Sequence, residues 1–121
     1  MHTFFVVPTG FGVGLTSISL GLVRALELAG LKVGFCKPIG QQHPGDTGPE
    51  RSSELIARTH GLKSPKPLSQ AYVERRLGDG QLDELMEDII NLYQQAAEGH
   101  DVVIVEGMVQ NRHASYAGQI N

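Results

Sequence analysis

The sequence predicts an α/β fold: a mostly parallel sheet with flanking helices. Three observations carry that expectation. Apolar runs at residues 3–7, 32–36 and 101–105 show little alternation, as strands buried on both faces do. Segments with helical spacing of apolar residues separate the runs. A glycine-rich turn joins the first run to the first helical segment. Strands alternating with helices make a layered sheet, and ligands then sit beyond the carboxyl ends of the strands.

The first run, residues 3–7, is rich in aromatic and β-branched types and ends at Pro8. Thr9, Gly10, Gly12 and Gly14 follow in the turn, and Thr16 and Ser17 open the helix. Strand, glycine turn and helix start in that order form a phosphate cradle. Glycines let backbone N–H groups approach an anion, and the helix N-terminus adds unpaired donors and its positive dipole end. A P-loop reads G-x-x-x-x-G-K-[ST]. Here Pro8 stands at the opening glycine, one residue too far from Gly14, and Leu15 replaces the lysine. Backbone donors and the Thr16 hydroxyl remain able to hold an anion or help hold a metal ion, more weakly without the ammonium. The other reading is a tight turn that needs glycine for steric reasons alone. A dinucleotide-binding turn fits worse. The glycines give G-x-G-x-G, and Lys37 stands where a ribose-binding acid is expected.

In residues 16–29, Ile18, Leu22, Ala25, Leu26 and Ala29 recur at helical spacing, and Gly30 sits at the C-cap position. The second strand, 32–36, runs into Lys37-Pro38 and completes a βαβ unit. Residues 39–49 read as a loop, and Pro49 starts a helix running to about residue 60. Residues 61–70 read as irregular, and 71–74 as either an extended piece or a helical turn. A clearer helix carries Leu82, Leu85, Met86, Ile89, Tyr93 and Ala96 along one stripe, with Gly99 after it. The third strand runs into Glu106-Gly107, and residues 108–121 are polar without a recognisable stop. The glycine turn, Lys37 and Glu106 therefore converge at one end of the sheet. Three strands also leave an open edge, which invites pairing with another chain or with more of the same one.

A length of 121 residues suits one modest domain with a real core. With 40% hydrophobic and 19% charged residues, the composition is that of an ordinary globular protein. A net charge of -3 gives no reason to expect nucleic-acid or membrane partners, and no apolar run approaches a membrane span. No signal-peptide pattern is evident, and the single cysteine, Cys36, fits a reducing compartment, so cytoplasm is the expected location.

Each candidate residue has a plain reading beside the functional one. Thr16 is a helix N-cap or a phosphate contact. Lys37 is a solvated charge or an anion ligand, and Glu106 a strand terminus or a metal or hydrogen-bond ligand. Cys36 reads as a small buried hydrophobe and Asp79 as a turn or cap residue. His2, His43, His60, His100 and His113 lack ligand spacing, and Arg112 and His113 are solvated or contact an effector phosphate.

Phe5-Val6-Val7-Pro8-Thr9-Gly10, Val13-Gly14-Leu15-Thr16-Ser17, Phe35-Cys36-Lys37-Pro38-Ile39 and Asp101-Val102-Val103-Ile104-Val105-Glu106-Gly107 together resemble a known family. It is the N-terminal domain of long bacterial phosphate acetyltransferases, in turn similar to dethiobiotin synthetase. Tyr72-Val73-Glu74 and Leu85-Met86-Glu87-Asp88-Ile89-Ile90 look like the acetyltransferase version, and Leu15 for lysine favours it too. The resemblance implies that residues 1–121 are a truncated dethiobiotin-synthetase-like domain, P-loop-derived, with the C-terminal acetyltransferase domain absent. It implies a role in regulation and assembly, and no turnover by the fragment alone. Its partners would be the remainder of the parent chain and further copies of the protein. The parent reaction would convert acetyl-CoA and phosphate to acetyl phosphate and CoA. The synthetase likeness implies instead an ATP- and magnesium-dependent ligase. Thr16 and Glu106 would then hold the metal, and Lys37 would neutralise substrate or phosphate charge. Leu15 weakens that reading, as does Ser53 where the synthetase has an acid; Asp46 and Glu54 are the nearby carboxylates. A small-anion or nucleotide sensor is a third reading.

Overall fold

The computed structural model describes residues 2–7, 15–40, 64–108 and Ile120. Strand β1 (His2–Val6) leads to helix α1 (Leu15–Leu28) and strand β2 (Val33–Cys36). Two short strands, β3 (Ile39–Gly40) and β4 (Leu68–Ser69), precede helices α2 (Gln70–Gly78) and α3 (Leu82–Ala97). Strand β5 (Val102–Glu106) follows. The helix expected over 49–60 and residues 109–119 lie outside the described residues.

β1, β5 and β2 form a parallel sheet in that order. The βαβ crossover from β1 to β2 therefore spans β5, which enters the middle last in sequence. Its apolar run Val-Val-Ile-Val is what a strand covered on both faces requires, and every residue of β5 is buried. Ile104 sits between Phe4 and Phe35 in register, and Val105 between Phe5 and Cys36. The α1 face holds Val23, Val33, Phe35 and Ile104. The opposite face packs Cys36, Val103 and Val105 against Ala96 of α3.

Two expectations need correction. The first strand is not buried on both faces: Phe4, Phe5 and Val7 are about half exposed. β1 pairs only with β5 among the described residues, and α1 and α3 lie chiefly over β2 and β5. Of the α1 stripe Ile18, Leu22, Ala25, Leu26 and Ala29, Leu22 and Leu26 pack on the sheet, whereas Ile18, Ala25 and Ala29 are exposed. Ser19 and Val23 are buried, with Leu22 and Leu26 partly so. The i, i+4, i+7 series Ser19, Val23, Leu26 points at the sheet: Val23 and Leu26 join the apolar cluster there, and the Ser19 hydroxyl finds a partner on β5.

Residues 71–74, undecided from sequence, are helical. The Ser69 hydroxyl caps α2 by accepting from the Tyr72 backbone N–H at 3.1 Å, and Asp79 is the C-cap residue. The region read as loop and irregular chain contains the β3–β4 ladder, two residues on each side. A third apolar cluster, Ile39, Val73, Leu85 and Met108, fixes α2 and α3 against the β3 region. Tyr72 donates to Asp88 at 2.6 Å while Arg76 donates to the Tyr72 hydroxyl at 2.9 Å, joining the two helices.

Candidate functional site

The carboxyl ends of β2 and β5 bring Lys37 and Glu106 together, although 69 residues separate them in sequence. Glu106 is the last residue of β5, and Lys37 directly follows β2. Glu106 lies in register with Val6 and is 3% exposed; Lys37 is 8% exposed. The Lys37 ammonium donates to Glu106 Oε1 at 3.2 Å, and the Ser19 hydroxyl donates to Oε2 at 3.3 Å. Three elements thus meet on one carboxylate: β5 supplies it, β2 the ammonium, and α1 the hydroxyl. A buried charge is tolerated when paired and hydrogen-bonded in this way.

Ser19 was not among the residues singled out by pattern. The signal that could have found it is a polar residue four before Val23, on the face of α1 that packs on the sheet. Of the other candidates, Thr16 falls in the first turn of α1 and Ser17 is exposed. Thr9, Gly10, Gly12 and Gly14 lie outside the described residues, as do Asp46, Ser53, Glu54, Arg112 and His113. Cys36 is buried, and burial pushes its thiol up to about 11 from 9.0. Such a thiol is a packing group, protonated at neutral pH.

On the α3 side of the same sheet end lies a cavity of about 80 Å³. Phe5, Ile39, Ile89, Val105 and Met108 supply apolar walls, and Glu106 also borders it. Its chemistry is therefore apolar, with one already paired carboxylate at its margin.

A divalent magnesium ion needs several oxygen ligands in near-octahedral array at about 2.0–2.1 Å. The described residues do not fit it. They contain no group of three or more His, Cys, Asp and Glu side chains placed to hold a metal ion. Among the described residues, the carboxylate at this end, Glu106, already has an ammonium against one oxygen and a hydroxyl against the other.

A parallel sheet flanked by helices, with charged side chains gathered at its carboxyl end, defines the class: a P-loop-like α/β protein. The AAA domain family model matches residues 2–121, and the chain belongs to that family. It is similar to a phosphate acetyltransferase of Pseudomonas aeruginosa, 78% identical over 121 residues, all of this chain and 17% of that protein. The phosphate acetyltransferase of Nitrosomonas europaea is 64% identical over the same 121 residues, 17% of its length. That of Haemophilus influenzae is 39% identical over 120 residues, 99% of this chain and 17% of the relative. These are the relatives to which the residue-level resemblance pointed. The chain spans less than a fifth of their length. No described helix is long and apolar enough to cross a membrane.

Proposed function

We propose that this chain is the N-terminal regulatory and assembly domain of a phosphate acetyltransferase. The parent enzyme would interconvert acetyl-CoA and phosphate with acetyl phosphate and CoA, in the cytoplasm, through a domain beyond these residues. The observation that carries the reading is the end-to-end likeness of all 121 residues to 17% of the Pseudomonas aeruginosa enzyme. The remainder of the parent chain is then the principal partner, and further copies of the protein the next.

Deleting residues 1–121 from the full-length protein tests the proposal. Acetyl phosphate formation should persist, while effector response, oligomeric mass by light scattering, or both, should change. Loss of the acetyl-transfer chemistry itself, or no change in response and mass, would overturn the assignment.

The gathering of Lys37 and Glu106 at the strand ends favours a second reading, an anion- or nucleotide-sensing site inherited from a P-loop ancestor. Thr9, Gly10, Gly12, Gly14, Thr16, Ser17 and Lys37 would contact a phosphate group, weakened by Leu15 in place of the loop lysine. The ligase version, with Thr16 and Glu106 holding magnesium beside ATP, is the weaker one, since both Glu106 oxygens already have side-chain partners. Calorimetry separates the two: micromolar binding of ATP with magnesium, abolished by Glu106→Ala, would favour the ligase. Binding of phosphate or sulfate alone would favour the sensor.

A further inference from the structure

We infer that the outer side of α1 is a docking seam for an apolar helix of the longer parent chain, outside residues 1–121. The inference rests on the parent-chain reading and deepens it, by placing that partner on this domain. The sequence of α1 sets up the seam. Only Arg24 and Glu27 are charged among its 14 residues, whereas α3 carries Asp83, Glu84, Glu87 and Asp88. Ser19, Val23 and Leu26 turn one side of α1 to the sheet. At about 3.6 residues per turn, Ile18, Gly21, Ala25 and Leu28 line a second, outward side. All four are exposed, Ile18 by 54% and Leu28 by 77%. A helix that is apolar on both sides is normally covered on both.

Shape argues for a helix as the occupant. A Cβ at Gly21 would meet nothing within 4 Å, and Ala25 lies one turn further on, so the seam is shallow between Ile18 and Leu28. A facing helix seats its side chains in such a groove at close range. Size argues for a tethered occupant. A seam one helix long falls well short of the ~800 Å² per partner that holds separate proteins together. A segment of the same chain needs less, because its tether keeps it concentrated. The relatives have the length for it: 121 residues are 17% of the Pseudomonas aeruginosa protein, and the rest could cover this domain. Phe4 shows the same face of the sheet short of cover. It shares that face with Phe35 and Ile104, which pack beneath α1, yet it is 45% exposed.

The test uses the full-length protein with a diazirine-bearing lysine in place of Arg24, which is exposed and neighbours both Gly21 and Leu28 on the helix surface. Irradiation inserts the carbene into whatever lies against the seam, and peptide mass spectrometry identifies it. The expected product keeps the mass of one chain and joins α1 to a peptide beyond residue 121. Insertion into a second copy, insertion confined to residues 1–121, or reaction with water alone overturns the inference. Thiol labelling supplies an independent reading. Ala25→Cys in the native full-length protein should react with a maleimide at least about tenfold more slowly than Glu27→Cys, because a covered thiol waits for local opening. Equal rates overturn the inference as well. So does protection of Ala25→Cys that is lost on dilution, the mark of a second copy. If Ala25→Cys does not fold, Ile18→Cys is read against the same criteria. Deletion of residues 1–121 tests the parent-chain reading by response and mass, and cross-linking tests the seam, so either can fail alone.

Discussion

Phe4 and Phe35 flank Ile104 in one row of the sheet, on one face, in identical parallel register. Phe35 is 1% exposed and Phe4 is 45% exposed. Both strands hydrogen-bond to β5, so pairing does not account for the difference. The layer above does. α1 and α3 lie chiefly over β2 and β5, and β1 projects past their cover. A β-ladder satisfies backbone polar groups, whereas hydrophobic stabilisation follows the apolar area that the flanking helices remove from water.

The widest gap is expected for the two phenylalanines themselves. Phe35→Ala should cost about 3–5 kcal/mol, the range for emptying a buried aromatic site. Phe4→Ala should cost about half as much, because half its surface is already hydrated. Urea denaturation of the two variants against wild type measures both. Equal costs would break the comparison. In the longer protein proposed above, a Phe4→Ala cost that climbs toward that of Phe35→Ala would show that further chain covers β1.

The next row down the strands, Phe5–Val105–Cys36, is sharpened by pH. Burial raises the Cys36 thiol to about 11, so the unfolded chain releases this proton first as pH rises. The contribution is complete below the unfolded value near 9.0 and is lost as pH climbs through the folded value. Two pH units correspond to about 2–3 kcal/mol of lost stability from this group. Denaturant midpoints of wild type and Cys36→Ala, compared at pH 8 and pH 10.5, isolate it. A thiol introduced on β1 by Phe5→Cys should react readily with a thiol reagent at pH 8, while Cys36 stays inert.

A smaller effect is expected in the row Thr3–Val103–Gly34. A Cβ at Gly34 would run into the Ala96 carbonyl oxygen of α3 and meet His100 Nδ1 at 3.0 Å. The helix backbone cannot yield as a side-chain tip would, so Gly34→Ala should cost about 1–3 kcal/mol. Thr3→Ala, at the matching position of exposed β1, should cost under about 1 kcal/mol. Calorimetric melting of the two variants is the measurement. A harmless Gly34→Ala would mean that α3 does not press on β2 as closely as described.

Much of this architecture was legible in the residues, for identifiable reasons. Val102 to Glu106 announced a doubly covered strand because a run of β-branched residues without alternation suits little else. Lys37 and Glu106 were placed at one end because parallel strands bring all their carboxyl ends to one side. That rule gives an end, and only the folded chain gives a 3.2 Å pair. The exposure of Phe4 and Phe5 was hidden, since an aromatic run states that a strand wants cover and says nothing about whether helices reach it. The rotation of α1 was hidden for a related reason. Hydropathy ranks Ile18 above Ser19, but Ser19 shares the face on which Val23, Leu22 and Leu26 pack against the sheet, and its hydroxyl has a carboxylate partner there.

The smallest effect probes how β1 is held where the helices fail to cover it. Thr3 Oγ1 and the Tyr93 hydroxyl lie 2.8 Å apart, tying the start of β1 to α3 across an exposed gap. Exposed hydrogen bonds contribute little net, so Tyr93→Phe should lower global stability by about 0.5–1 kcal/mol at most. Its local signature should be clearer. Amide exchange of β1 should quicken by roughly two- to fivefold, because an edge strand with little apolar cover opens below the global unfolding energy. Exchange in β2 and β5 should not move, since α1 and α3 still clamp both. If β2 amides quicken by the same factor as β1, the three strands open as one unit. The two edges would then differ in exposure without differing in stability, and cover by the helices would not be what holds an edge of this sheet.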